Sequence, residues 1–142
     1  MKILPFADHP HLDFHAVIEI YAANGWGTAA DYRAEEVRAW FEQSSCALLV
    51  LDDDSRLVGI ARVMSDSLNT WLCEIVVHPA RQRGGVGSLL MHDIIARYGH
   101  TALWGEAIKG TEGFFSKFGI VPRSSITAVS RAPSSARRAQ SA

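Results

Sequence analysis

Residues 70–88, TWLCEIVVHPARQRGGVGS, constrain the fold of this chain more than any other stretch. An apolar run of strand type ends at His78-Pro79, where proline lacks the N–H that a sheet ladder needs. Gly84, Gly85 and Gly87 then turn the chain, and from Val86 the apolar residues recur at helical spacing. A further strand-like run, HTALWGEAI, follows that helix. Strand, helix and strand in this order make a βαβ unit, which is parallel and right-handed. The same corner has a chemical character. The first N–H groups of the helix have no intrahelical acceptor and lie at the positive end of its dipole, so an anion is their natural guest. Glycines let that anion reach the backbone, and Arg81 and Arg83 add charge at the rim.

The rest of the chain fits around this unit. A strand at Lys2–Phe6 precedes a helical period from His11 to Asn24, closed by Asn24-Gly25 as a C-cap. Asp31 is positioned as the N-cap of a second helix, Tyr32–Gln43. The runs CALLVL, RLVGIARVM and TWLCEIVV, joined by Asp/Ser turns, predict three antiparallel strands in a meander. After strand five come a short helix in TEGFFSKFG, capped by Gly119, and a sixth strand in RSSITAVSR. The expected fold class is α/β (α+β): a mixed, mainly antiparallel six-stranded sheet with helices on both faces. At 142 residues the chain is sized for one core, and we expect a domain over residues 1–130 and a flexible basic tail over 131–142. There is no internal repeat.

Composition excludes several classes of function. No apolar run approaches the roughly 20 residues that cross a bilayer, and the first residues lack a signal-peptide core, so a cytoplasmic protein without a membrane partner is expected. The formal charge of −1 argues against nucleic acid. Cys46 and Cys73 sit in apolar runs and read as reduced, buried thiols. His9, His11 and His15 cluster without the acids or cysteines of a metal site, so no metal is expected.

Two phosphate motifs fail at the glycine turn. A Walker loop requires Gly-Lys-Ser/Thr, and Gly87 is followed by Ser88-Leu89; a dinucleotide fingerprint belongs after the first strand of a Rossmann unit, and this turn follows the fourth. The stretch Gln82-Arg83-Gly84-Gly85-Val86-Gly87, after Val77-His78-Pro79, instead resembles the acetyl-CoA signature of the GNAT superfamily of N-acetyltransferases, Q/R-x-x-G-x-G/A after a strand ending in V-x-P. Phe114-Phe115-Ser116-Lys117-Phe118-Gly119-Ile120 is similar to that family's later F-Y-x-K-x-G-F element. The resemblance runs through residues 1–130 in element order. It implies a GNAT fold and acetyl-CoA as cosubstrate. The CoA diphosphate would lie on the N–H groups from Arg83 to Ser88, beside Gln82, and pantetheine would run as an added strand along Ile75, Val76 and Val77. Homodimers are common in that family.

Acetylating an amine requires a neutral amine, donors for the thioester oxygen and help for the departing thiolate. Glu74 is the only acid on strand four and is the expected proton acceptor or substrate anchor, with a structural ion pair to Arg62 as the alternative; His78 is the rival base. The Val77 N–H is the expected polariser of the carbonyl. Phe115 stands where many family members carry a tyrosine that protonates the thiolate, leaving water, Ser116 or Tyr98 as substitutes. Trp26 is the expected acceptor-site aromatic, while Trp71 is equally well explained by core packing.

The resulting reading is an acetyl-CoA-dependent N-acetyltransferase acting by direct transfer on a primary amine of a small molecule. The alternatives are a catalytically weakened acetyl-CoA/CoA-binding module, a protein N-acetyltransferase, and a scaffold that uses the fold for interaction. The charge distribution agrees with an anionic cosubstrate and a cationic acceptor: residues 1–78 carry 5 basic and 12 acidic side chains, and residues 79–142 carry 9 and 3.

Overall fold

The computed structural model describes residues 1–133. The chain divides into two compact units, Met1–Glu106 and a second that begins at Ala107. In the first, β1 (Lys2–Pro5) leads through a 3₁₀ turn to α1 (Phe14–Ala23) and α2 (Ala34–Gln43). Then follow β2 (Cys46–Leu51), β3 (Leu57–Ser65), β4 (Asn69–Val77), a 3₁₀ turn at Pro79–Arg81, α3 (Val86–Tyr98) and β5 (Ala102–Gly105). The second unit contains α4 (Glu112–Ser116).

The sheet runs in sequence order, β1-β2-β3-β4-β5. Its first three pairings are antiparallel and β4 with β5 is parallel, as the βαβ pattern requires. Helices cover both faces. Adjacent residues of a strand point to opposite faces; on β3, Gly59 lies against Val86 and Leu90 of α3, whereas Ile60 joins the core formed with α1 and α2. On the α1/α2 side, Phe6, Phe14 and Phe41 meet edge to face at 5.2–5.7 Å, the arrangement their quadrupoles favour. Val86, Leu90, Met91 and Ile94 are the buried residues of α3.

The helix ends show what composition alone misplaces. Asp31 does not cap α2; its carboxylate accepts from the Thr28 N–H and hydroxyl, closing a capping box on the preceding 3₁₀ turn, while Arg33 precedes α2 without a side-chain cap. The α1 cap is Asp13, which accepts from the His15 N–H. Asn24-Gly25 does end α1, with Gly25 left-handed at φ 74°.

Three other expectations are corrected. Among the described residues the sheet has five strands, because residues 123–131 form none. That segment is exposed throughout, the described residues of its own compact unit offer no strand to pair with, and its Ile126 N–H turns back to the Arg123 carbonyl at 3.2 Å. The cysteines are not both buried: Cys46 is half-buried at the start of β2 and Cys73 is exposed. Trp71 is 44% exposed and does not serve as core. Most of the expected basic tail, residues 134–142, lies outside the described residues.

The contact between β3 and α3 leaves no room for a side chain at Gly59, where a Cβ would fall 2.6 Å from Val86 Cγ1. Val86 is β-branched and stiff in a helix, so Gly59→Ala is expected to lower stability by about 1–3 kcal/mol, measured by urea unfolding.

Candidate active site

The site is built on β4, and one irregularity determines its form. Arg62 faces Glu74 across the ladder, but the next β3 residue, Val63, faces Leu72, so Cys73 is an extra residue without a partner. This is a β-bulge. Arg62 and Val63 point to opposite faces, so Leu72 and Glu74 do too, although a regular strand would put residues two apart on one face. Leu72 is buried, while Glu74 turns toward α1.

There Glu74 Oε1 accepts two hydrogen bonds, from the Tyr21 hydroxyl at 2.5 Å and from Arg62 Nε at 2.9 Å. The ion pair is largely withdrawn from water, with 16% of the Arg62 side chain and 11% of the Glu74 side chain exposed. Arg62 Nη1 reaches Ser44 Oγ at 3.2 Å, and its guanidinium lies over the Phe41 ring. Burial, with the Glu74 charge beside it, pushes the Tyr21 hydroxyl far above the ordinary tyrosine value and keeps it a donor. Both partners of Glu74 bind Oε1. Among the described residues every buried side-chain nitrogen and oxygen has a partner, so Oε2 is the open acceptor of this carboxylate. Trp26 stacks on Tyr21 with ring centroids 5.8 Å apart, and its carbonyl accepts from the Tyr32 hydroxyl. The expected acceptor-site aromatic therefore lies directly over the residue that orients Glu74.

Toward its C-terminal end β4 has an open edge. Pairing with β5 stops at Leu72–Gly105. The His78 N–H donates to the Val58 carbonyl at 2.9 Å. Because peptide directions alternate along a strand, the backbone groups of Val76 face β3, and those of Ile75 and Val77 face the unpaired side. The Val77 carbonyl there is taken: it accepts from Asn24 Nδ2 at 3.1 Å and Gln82 Nε2 at 3.2 Å. Gln82 Nε2 also donates to Asn24 Oδ1 at 3.0 Å, tying the glycine turn to the end of α1. The Val77 N–H, and both the N–H and carbonyl of Ile75, are left pointing outward. Val76 contributes its side chain to the core.

The turn itself contains two left-handed residues in a span of three, Arg83 at φ 63° and Gly85 at φ 86°. Only glycine adopts such a φ without strain, and Gly85 stands directly before α3 with no side-chain cap. The N–H groups of Val86, Gly87 and Ser88 therefore lack an intrahelical acceptor. At Gly84 a Cβ would crowd the Arg81 carbonyl at 3.3 Å. This donor set and the absence of side chains around it fit a phosphate group. Arg81 is not free to serve it: its Nη2 is 2.6 Å from Asp52 Oδ2 on the β2–β3 turn.

The remaining expected residues divide clearly. His78 uses Nδ1 to accept the Ala80 N–H at 3.2 Å, capping the 3₁₀ turn. Phe115 lies half-buried on α4 of the second unit, edge to face with Phe114. Ser116 Oγ donates to the Glu112 carbonyl. Tyr98 ends α3, 12 residues beyond Val86, or about 18 Å from the glycine turn at 1.5 Å per residue. Among the described residues there is no group of three metal-ligating side chains and no helix long and apolar enough to cross a membrane. Sequence reading missed Tyr21, Asn24 and Asp52. A tyrosine in the aliphatic stripe of α1 was the available signal, since a buried hydroxyl requires a partner.

A mixed sheet opened beside its fourth strand, with a phosphate-type turn at the strand's end, defines an acyl-CoA-type transferase fold. Residues 44–119, more than half of the chain, match the family model described as an acetyltransferase (GNAT) domain; the chain belongs to the GNAT acetyltransferase family. Solved structures share the fold. A GNAT-family acetyltransferase from Streptococcus pneumoniae aligns with TM-score 0.72 at 23% identity, over 93% of this chain and 97% of that one. An acetyltransferase from Trypanosoma brucei aligns with TM-score 0.68 at 14% identity, covering 92% and 99%. An aminoglycoside 6'-N-acetyltransferase from Acinetobacter haemolyticus aligns with TM-score 0.64 at 16% identity, covering 94% and 100%. No curated protein matches the sequence.

Tyr21 and Glu74 are expected to be energetically coupled. Tyr21→Phe should cost about 1.5 kcal/mol, the low end for a hydrogen bond to a charged group. Combined with Glu74→Gln in a double-mutant cycle, the losses should fall short of additivity by at least about 0.5 kcal/mol in denaturant unfolding.

Proposed function

We propose that the protein is an acetyl-CoA-dependent N-acetyltransferase acting by direct transfer on a primary amine of a small molecule. One juxtaposition carries the reading: the outward peptide groups of Ile75 and Val77, the uncapped N–H groups after Gly85, and the open oxygen of Glu74 all lie on or next to one half-strand. When bound, acetyl-CoA supplies an activated thioester acetyl group.

The chain's own residues would do the rest. The N–H groups of Val86, Gly87 and Ser88, with Arg83, hold the diphosphate. The N–H and carbonyl of Ile75 pair with the pantetheine arm, in the manner of an added strand. The Val77 N–H is left to polarise the thioester carbonyl. An amine has an unperturbed pKa of about 10 and arrives mostly as ammonium, so it must lose a proton before attack. Glu74 Oε2 receives that proton, directly or through one water, while Tyr21 and Arg62 hold the carboxylate by its other oxygen. His78 is less suited to this role, because the lone pair of Nδ1 is already used to cap the Ala80 N–H. Trp26, stacked over Tyr21, forms the apolar side of the acceptor position.

A second reading, a CoA-binding module with a low transfer rate, is favoured by Phe115, which has no proton to give where many family members carry tyrosine. The two readings separate in one assay. An acetyltransferase releases CoA thiol only when a suitable amine from a panel is added; a binding module is stabilised by acetyl-CoA without amine-dependent release. In either case acetyl-CoA at 100 times its Kd should raise stability by about 2.7 kcal/mol in thermal unfolding, and no shift would contradict both readings. Glu74→Gln is expected to lower kcat by about 10²–10⁴-fold, the worth of general base catalysis. Phe115→Tyr is expected to raise kcat at saturating acetyl-CoA; an unchanged or lower rate would count against an empty acid position at residue 115.

A further inference from the structure

We propose that Asp52, in the turn between β2 and β3, is a positioning residue for the cosubstrate loop, and that Arg81 is a strap rather than a phosphate ligand. The inference rests on the acetyl-CoA reading for its consequence in binding, but its geometric content stands apart from it.

Asp52 is buried, with 4% of its side chain exposed, although it lies in a polar turn flanked by Asp53 and Asp54, which are exposed. Its two oxygens are used in two directions. Oδ1 accepts the N–H groups of Asp54 and Arg56, each at 3.0 Å, which closes the hairpin. Oδ2 meets Arg81 Nη2 at 2.6 Å, 29 residues along the chain. These bonds, with the Arg56 N–H first, hold the Asp52 carboxyl below the ordinary aspartate value, so it is ionised at neutral pH. Arg81 is the last residue of the 3₁₀ turn that connects β4 to the glycine segment, and its own N–H donates to the His78 carbonyl. The carboxylate thus grips the middle of the loop from outside. The loop's other side-chain anchor is Gln82, held by Asn24 and the Val77 carbonyl.

Consecutive residues are therefore fastened to opposite parts of the first unit, Arg81 to the β2–β3 turn and Gln82 to the end of α1. Arg83, the next residue, is exposed and left-handed, with no ion pair among the described contacts. Such fastening fixes where the N–H groups after Gly85 point, and pre-organisation lowers the ordering cost of binding. The charge arithmetic changes as well. Asp52 neutralises Arg81, so the cation offered to the phosphates is Arg83.

The test uses the full chain with acetyl-CoA in titration calorimetry, steady-state kinetics at two salt concentrations, and hydrogen exchange without ligand. Asp52→Asn keeps an oxygen for the hairpin N–H groups and removes the charge that holds Arg81. It should weaken acetyl-CoA binding by about tenfold, as expected for loss of one charge-assisted hydrogen bond. The KM for acetyl-CoA should rise, with kcat and the amine KM unchanged. Arg81→Gln, at a residue about half exposed, should do the same, the double variant should be no worse than either single one, and Arg81→Lys should recover part of the loss. Arg81→Gln should leave the salt dependence of binding unaltered, whereas Arg83→Gln should reduce it, because screening acts on charges that face the ligand. Faster exchange at residues 80–85 in ligand-free Asp52→Asn, with β2 and β3 unchanged, would support the strap even if wild-type protein failed to bind acetyl-CoA; that failure would overturn the cosubstrate reading alone. Tighter binding in Asp52→Asn, or a reduced salt dependence in Arg81→Gln, would show Arg81 to be a phosphate ligand and overturn the proposal. Unchanged exchange at residues 80–85 would also overturn it.

Discussion

The site depends on one surplus residue in β4. Without the bulge at Cys73, Glu74 would share a face with Leu72 and point toward the α3 side of the sheet. With it, the carboxylate reaches Tyr21 and Arg62, and the rest of β4 continues toward the glycine turn in register with β3. A bulge bends its strand and increases local twist. Here it coincides with the point at which β4 and β5 cease to pair. One local irregularity therefore accompanies both features on which the proposed chemistry rests, an outward-facing backbone edge and an acid on the helix side of the same half-strand.

A second constraint is electrostatic. The sequence places many acids ahead of residue 79 and many bases beyond it, yet the structure uses these charges pairwise. Arg62 and Glu74 compensate each other beside α1, and Arg81 and Asp52 do so under the hairpin. Two charges withdrawn from water are tolerable only when paired and hydrogen-bonded, a condition that Arg62 and Glu74 meet through Tyr21 and Ser44; in the second pair only Asp52 is buried, and Arg81 is about half exposed. The positive character left at the glycine turn comes from Arg83 and from the peptide dipoles of α3, both of which suit an anion that binds reversibly.

Much of this was readable in the sequence, for reasons that can be stated residue by residue. The strand ending at His78-Pro79, the glycines and the apolar stripe of α3 are local signals, and their order fixes a parallel β4–β5 pair. The Glu74–Arg62 pair follows from antiparallel neighbours in a meander. What escaped were relations between distant residues or breaks in periodicity. A period of two through WLCEIVV gives no sign that Cys73 is unpaired, so it suggested a buried thiol where the structure has an exposed one. Asp31 carries the right chemistry for a cap but serves the preceding 3₁₀ turn, because two further residues separate it from α2. RSSITAVSR has the composition of a strand, yet a strand exists only where an edge is available to pair with it, and composition does not report that.

The central claim is that the outward N–H groups of Ile75 and Val77, together with those of Val86, Gly87 and Ser88, form one continuous binding surface for acetyl-CoA. Amide ¹H–¹⁵N correlation spectra recorded during an acetyl-CoA titration test it most directly. The account predicts large, saturable shifts at these five amides with a common Kd, and much smaller ones at Val76, whose N–H faces β3. Shifts confined to other strands, or an unmoved Ile75 and Val77 while the turn responds, would contradict it.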